Sequence, residues 1–107
     1  MNRGDVYWVD LEPTKGAEIR KIRPCVIITV NPVNRARRTV VVVPLSTAAT
    51  PRPPLVIPLS SAGDPNAVAV CDQIRAVDKA RLNKQIGHLT AADLIALENG
   101  LKKVLGL

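Results

Sequence analysis

Few residues in this 107-residue sequence have the types and spacing to do chemistry, and they fall close together. Arg23-Pro24 stands at the mouth of the β-branched run 24–30, and Ser46-Thr47 closes a second such run, 39–45. A guanidinium is a planar fork of donors matched to phosphate oxygens. A hydroxyl nearby can add a further hydrogen bond. The surrounding stretch is basic: between residues 15 and 52, Lys15, Arg20, Lys21, Arg23, Arg35, Arg37, Arg38 and Arg52 are set against Glu18 alone. Residues 1–52 hold 9 basic and 4 acidic residues, whereas residues 53–107 hold 6 and 5. Positive charge confined to a few loops suggests a polyanion partner. Charge alone leaves RNA, DNA, an acidic protein and a face kept for solubility all open.

What the sequence lacks excludes other chemistry. It has neither G-x-x-x-x-G-K-[ST] nor G-x-G-x-x-G, so no nucleotide-binding loop is visible. His88 is the one histidine, which rules out a His–His acid/base pair and a multi-His metal site. The acids do not cluster, which argues against a two-metal nuclease. Cys25 and Cys71 lie in apolar runs and read as buried thiols rather than as a disulfide, a nucleophile or metal ligands. No cofactor or metal is called for. His88 precedes a helix start and reads as structural. No span approaches the roughly 20 apolar residues of a membrane helix. The N-terminus has no apolar signal region, so the expected location is the cytoplasm.

The elements that must position these residues are short. Apolar residues make up 47%, too many for a disordered chain, and 107 residues suit one domain spanning 1–107. Residues 5–11 read as a strand with Val6, Trp8 and Leu11 facing in, and 24–30 and 39–45 read as buried strands. A polar hairpin tip, 31–38, joins those two. Residues 12–23 form a long exposed loop of the kind that is often functional. Three prolines keep 46–54 out of any central strand. Short strands follow at 55–58, 67–74 and 84–88. Thr90 then caps a C-terminal helix, with Asp93 in its first turn, Lys102 and Lys103 near its end, and Leu94, Leu97, Leu101 and Val104 on one face. Gly100 within that helix points to close packing. The sum is five or six strands and one helix, a small, strongly bent antiparallel sheet or barrel. With Tyr7 and Trp8 its only aromatics, read as core and flank, such a sheet is expected to bury area against a second copy.

Three stretches carry a family resemblance: RGDVYWVDLEPTKGAEIRKIRPCVII (3–28), VVVVPLST (40–47) and AVCDQIRAVDKARL (69–82). Together they resemble the MazF/PemK family of toxin endoribonucleases, through G-D-[VI], P-T-K-G-x-E, R-P and D-Q-I-R in the same order. The resemblance implies a mainly β, SH3-like small antiparallel barrel with a C-terminal helix, usually a homodimer. It implies metal-free cleavage of single-stranded RNA to a 2′,3′-cyclic phosphate and a 5′-hydroxyl. It also implies a labile antitoxin encoded beside the toxin.

Carried onto this sequence, the family's catalytic Arg is Arg23. Its catalytic Thr falls on Ser46, with Thr47 adjacent and able to compete for the role. The loop acid matches Glu18, a candidate base if the loop closes over substrate, and the strand-five amide matches Gln73. RNA contacts are expected from Lys15, Arg20, Lys21, Arg35, Arg37, Arg38, Thr47, Arg52, Gln73 and Arg75, unless Arg75 pairs with Asp72. The chemistry is consistent: the 2′-hydroxyl of RNA is the nucleophile, so the protein must orient it, stabilise a dianionic phosphorane and manage two protons. A guanidinium does not give up its proton in proteins, so Arg23 suits electrostatic stabilisation rather than general base catalysis. A neutralising antitoxin should carry an acidic, partly disordered tail. The competing readings are a CcdB-like toxin of the same fold that poisons DNA gyrase without catalysis, and an inactive RNA- or antitoxin-binding remnant.

Overall fold

The computed structural model describes residues 1–19 and 21–107, so the expectation for Arg20 lies outside the described residues. Three strands, β1 (Asp5–Asp10), β2 (Ile22–Ile27) and β3 (Thr39–Ser46), pair antiparallel in sequence order. Later strands add to both edges of this trio. On the β3 edge, β4 (Val56–Pro58) pairs with β5 (Val68–Val70), which joins β3 at Leu45 and Ser46. Further along the same edge β6 (Arg75–Asp78) pairs with Thr39–Val42, so Pro44, which has no amide hydrogen, falls between the two partners. On the opposite edge β7 (Leu82–His88) pairs with β1 across two register shifts. The order β4-β5-β3-β2-β1-β7, with β6 also on β3, makes a sheet that bends into a barrel-like shape without closing.

Both faces of this sheet are covered, and that explains the unbroken apolar runs. Side chains alternate across a strand. Thus Val9, Leu11, Cys25, Ile27, Val40 and Val42 form one buried cluster, while Val6, Val26, Val43 and Leu45 join a second. Helix α2 (Ala91–Leu105) lies over the second cluster and contributes Leu97 and Leu101. Cys25 and Cys71 are free, buried and in different clusters, which fits the reading as core thiols.

The helix is fixed at both ends. Thr90 caps it by accepting from the Asp93 amide at 3.2 Å. Asp93 does not reach back to Thr90; its Oδ2 accepts instead from the Ser61 amide at 2.9 Å, while the Thr90 amide donates to Ser61 Oγ. The cap is therefore shared with the loop before β5. At the other end Gly106 takes the left-handed conformation and closes the last turn. Gly100 is required by packing: a Cβ there would stand 2.9 Å from Ile57 Cγ1 and 3.2 Å from the Pro54 carbonyl oxygen.

Several sequence expectations need correction. Among the described residues there are seven strands and two helices, not five or six and one. Residues 31–38 are not a hairpin tip: Asn31–Ala36 form a short helix, α1, whose Asn34 is buried and donates to the Thr29 carbonyl. The run 67–74 is strand only as far as Val70, then turns through a 3₁₀ segment, Cys71–Gln73, into the unexpected strand β6. Trp8 shares the face of Val6 but is 39% exposed, because that face runs out into a cavity at this end of the sheet.

Candidate active site

The strand register places the site. Trp8 lies opposite Pro24, and Val9 opposite Arg23. Across the other edge of β2, Cys25 lies opposite Pro44. Two residues further along each of those strands come Arg23 and Ser46, so the R-P motif and the end of β3 meet at one end of the sheet. Both line a cavity of about 320 Å³, together with Trp8, Thr47 and Ile86. Its floor is the second buried cluster, through Leu45, Ala62 and Ala67.

Ser46 is held by its own turn. Its Oγ accepts from the amides of Ala48 and Ala49 at 3.1 and 3.2 Å. With both lone pairs engaged by donors, the hydroxyl hydrogen is the part left for a ligand. Thr47 is exposed at the rim. Sequence reasoning missed Gly63 and Asp64, which also line the cavity and come from the loop 59–66. Gly63 has φ +101°, so that wall needs a glycine. Asp64 is the one acid among the described lining residues; its Oδ1 accepts from the Asn66 amide at 2.8 Å. No spacing signal in the sequence marked it, since it is 18 residues beyond Ser46.

A second cleft, about 420 Å³, shares Thr47 and Ala67 with the first. Its walls, including Thr50, Pro58 and Asn66, carry no charge. Arg52 is exposed beside it and pairs through its backbone with Val56.

The basic loop between β1 and β2 is clamped from below. Gln73 spans two of its peptides, accepting from the Ile19 amide and donating to the Ala17 carbonyl, both at 3.2 Å. Arg75 donates to the Leu11 carbonyl at 3.2 Å. Arg81 donates to the carbonyls of Asp10 and Glu12. Glu12 in turn accepts from the amide of Lys21, a residue held at φ +65°. Gln73 and Arg75, expected to contact RNA, thus hold the loop backbone, Gln73 through both amide atoms and Arg75 through one guanidinium nitrogen, and Arg75 makes no ion pair with Asp72 among the described residues. Glu18 is exposed and closes a turn with Lys15, its Oε1 accepting from the Lys15 amide at 2.8 Å. Lys15, Glu18 and Lys21 are not among the residues lining the cavity. Neither are Arg35, Arg37 and Arg38, which lie beyond the far end of β3.

The remaining reactive groups are occupied elsewhere. Burial pushes the Cys25 thiol up to about 12 and Cys71 to about 11, which suppresses thiolate chemistry near neutrality. His88 Nδ1 meets the buried Asp5 carboxylate at 2.6 Å, tying the end of β7 to the start of β1. Among the described residues no group of three or more His, Cys, Asp or Glu is placed to hold a metal ion. Among the described residues no helix is long and apolar enough to cross a membrane.

Residues 2–105 match the family described as PemK-like, MazF-like toxin of type II toxin-antitoxin system. The chain belongs to the MazF-like toxins. This MazF-like toxin is 33% identical over 111 aligned residues to the Endoribonuclease MazF of Staphylococcus epidermidis, covering 100% of this chain and 92% of that one. Among solved structures it is similar to a mycobacterial endoribonuclease in complex with its cognate antitoxin, with a TM-score of 0.84, 26% identity, and 100% and 96% of the two chains covered. MazF of Deinococcus radiodurans has the same fold, with a TM-score of 0.88 at 21% identity, covering 100% of this chain and 97% of that one. The MazF-like barrel with its C-terminal helix is thus the fold that the sequence resemblance implied.

Proposed function

We propose that this MazF-like toxin is an endoribonuclease that cuts single-stranded RNA without a metal, leaving a 2′,3′-cyclic phosphate and a 5′-hydroxyl. The observation that carries the reading is the meeting of Arg23 and Ser46, from different strands, in the wall of one cavity. A scissile phosphate seated there meets a guanidinium able to take two of its oxygens, and a hydroxyl hydrogen already oriented by its turn. As the 2′-hydroxyl attacks, charge grows on the phosphorane oxygens and both contacts strengthen. Of the two candidate carboxylates, Asp64 is in the wall, whereas Glu18 would have to leave its turn with Lys15 to reach the reaction. Asp64 is therefore the better-placed proton acceptor. The uncharged second cleft suits bases, and Lys15, Lys21 and Arg52 supply positive charge at the margins.

The relatives that share a third of this sequence are named as endoribonucleases, which favours RNA cleavage over gyrase poisoning. A gyrase binder needs neither Arg23 nor Ser46. A similar structure solved with its cognate antitoxin supports such a partner here too; the charge of the basic loops calls for one with an acidic, partly disordered tail.

The deciding experiment incubates purified protein with mixed single-stranded RNA in EDTA and maps the new 5′ ends. Cleavage at a short shared sequence with 5′-hydroxyl ends is the expected result; no cleavage together with gyrase poisoning would overturn the reading. The same assay separates the two neighbouring hydroxyls. Ser46→Ala is expected to lower kcat by about a hundredfold to a thousandfold, the range for removing one donor to a developing charge. Thr47→Ala, at the exposed rim, is expected to stay within about twofold, since surface changes away from such contacts have small effects. The reverse order would move the catalytic role to Thr47.

A further inference from the structure

The most concentrated charge on the molecule lies away from the cavity. Arg35 on α1, then Arg37 and Arg38 before β3, are all exposed. No ion pair is found for any of the three among the described residues. Arg37, Arg38 and Thr39 wall an open depression of about 320 Å³. The Arg38 carbonyl accepts from the Lys79 amide at 2.8 Å, which brings a fourth cation to this end. The acid at this end is Asp78, opposite Thr39; its Oδ1 accepts from the Ala80 amide. The β3 residues 39–45 separate Arg38 from Ser46, a path of roughly 26 Å at about 3.3 Å per residue.

Three guanidiniums within four residues repel one another, and no ion pair among the described residues offsets that cost. A self-interface centred here would set like charges against each other, so a second copy is a poor occupant. The chemistry that fits is a row of phosphates. We infer that Arg35, Arg37 and Arg38 form an RNA-backbone exosite, separate from the cleavage site, that holds the strand several nucleotides from the cut. This rests on the RNA-cleaving reading above but adds a second contact with its own signature. At about 3.4 Å per stacked nucleotide, the spacing corresponds to about seven or eight nucleotides. Short substrates should not reach it and long ones should.

The test compares wild type with the Arg35→Gln/Arg37→Gln/Arg38→Gln triple variant on two RNAs. One carries the cleavage sequence with a single flanking nucleotide on each side, and the other the same sequence within about 20 nucleotides. Neutralising three contacts to single-stranded RNA should flatten the plot of log affinity against log salt by about 2, since each contact contributes roughly 0.7. At physiological salt that corresponds to a KM for the long RNA raised by about tenfold to a hundredfold. kcat and KM for the short RNA should match wild type. Wild-type KM and salt slope for the long RNA would overturn the exosite. An equal loss on both RNAs would do the same, by placing the charge at the cleavage site. So would a loss of binding to polyglutamate with RNA binding intact, which would make the partner an acidic protein. Direct binding of a long RNA carrying 2′-deoxy at the cut reads the exosite even if no RNA is cleaved, so failure of the nuclease reading and failure of the exosite are distinguishable.

Discussion

Replacing Arg23 with alanine is expected to slow RNA cleavage by about 10²–10³, the range for removing one preorganised donor from a developing oxyanion. The loss should fall mainly on kcat. A guanidinium already contacts the phosphate in the ground state, but its pull grows as the phosphorane gains its second negative charge. Arg23 is exposed on its outer side and stands at the end of β2, not in either buried cluster, so the fold should tolerate the change. Arg23→Lys restores the charge without the fork and should recover only part of the rate. The measurement is single-turnover cleavage of a defined RNA in EDTA, with circular dichroism as a folding control. A rate for Arg23→Ala within about fivefold of wild type would remove the guanidinium from the mechanism while leaving RNA cleavage itself untouched.

The largest stability effect should come from the helix face that roofs the second cluster. Leu97 is fully buried there. Leu97→Ala is expected to cost about 2–5 kcal/mol, the transfer term for the lost methyl groups plus the cavity left behind. Against a total of about 5–15 kcal/mol this is a large fraction, and the melting temperature should fall by at least about 10 °C. Leu97→Met keeps the volume and should cost less than about 1.5 kcal/mol. Urea denaturation of the three proteins checks this. Equal midpoints for wild type and Leu97→Ala would mean that α2 does not pack on the sheet as described. The effect extends to function because Leu45, Ala62 and Ala67 belong to the same cluster and form the cavity floor.

What the sequence made legible, and what it hid, follow from the same packing. The runs at 24–30 and 39–45 were readable as strands because a sheet covered on both faces has no polar side to interrupt its β-branched residues. That same double coverage made inward and outward hard to assign. Trp8 continues the face of Val6, and only the bend of the sheet, which no local pattern encodes, opens that face into a cavity. The helix α1 escaped notice because it is 6 residues long, has no side-chain cap at Val30 and is stabilised by the buried Asn34. β6 escaped because Val77 is its one buried side chain, leaving no alternation to read. Arg23 and Ser46 were found from motifs and the topology does bring them together. Gln73 and Arg75 were found too, as expected RNA contacts, but their hold on the loop backbone was not. Their engagement with carbonyls and an amide of the β1–β2 loop depends on how β6 is placed relative to that loop. Asp64 belongs to a turn whose position depends on Ser61, Asp93 and the helix cap, a tertiary arrangement with no sequence signature.

The position of Trp8 also has an optical consequence. It is the only indole in the chain, and it stands half-open in the wall that holds Arg23 and Ser46. Its emission therefore reports on one place, the solvent and the bases that enter the cavity, with no second indole to dilute the signal. Stacking of a nucleobase on the ring, or the arrival of an antitoxin segment over it, alters the same fluorescence band. The protein carries its own unlabelled probe of occupancy, able to follow a catalytically dead variant that cleavage assays cannot see.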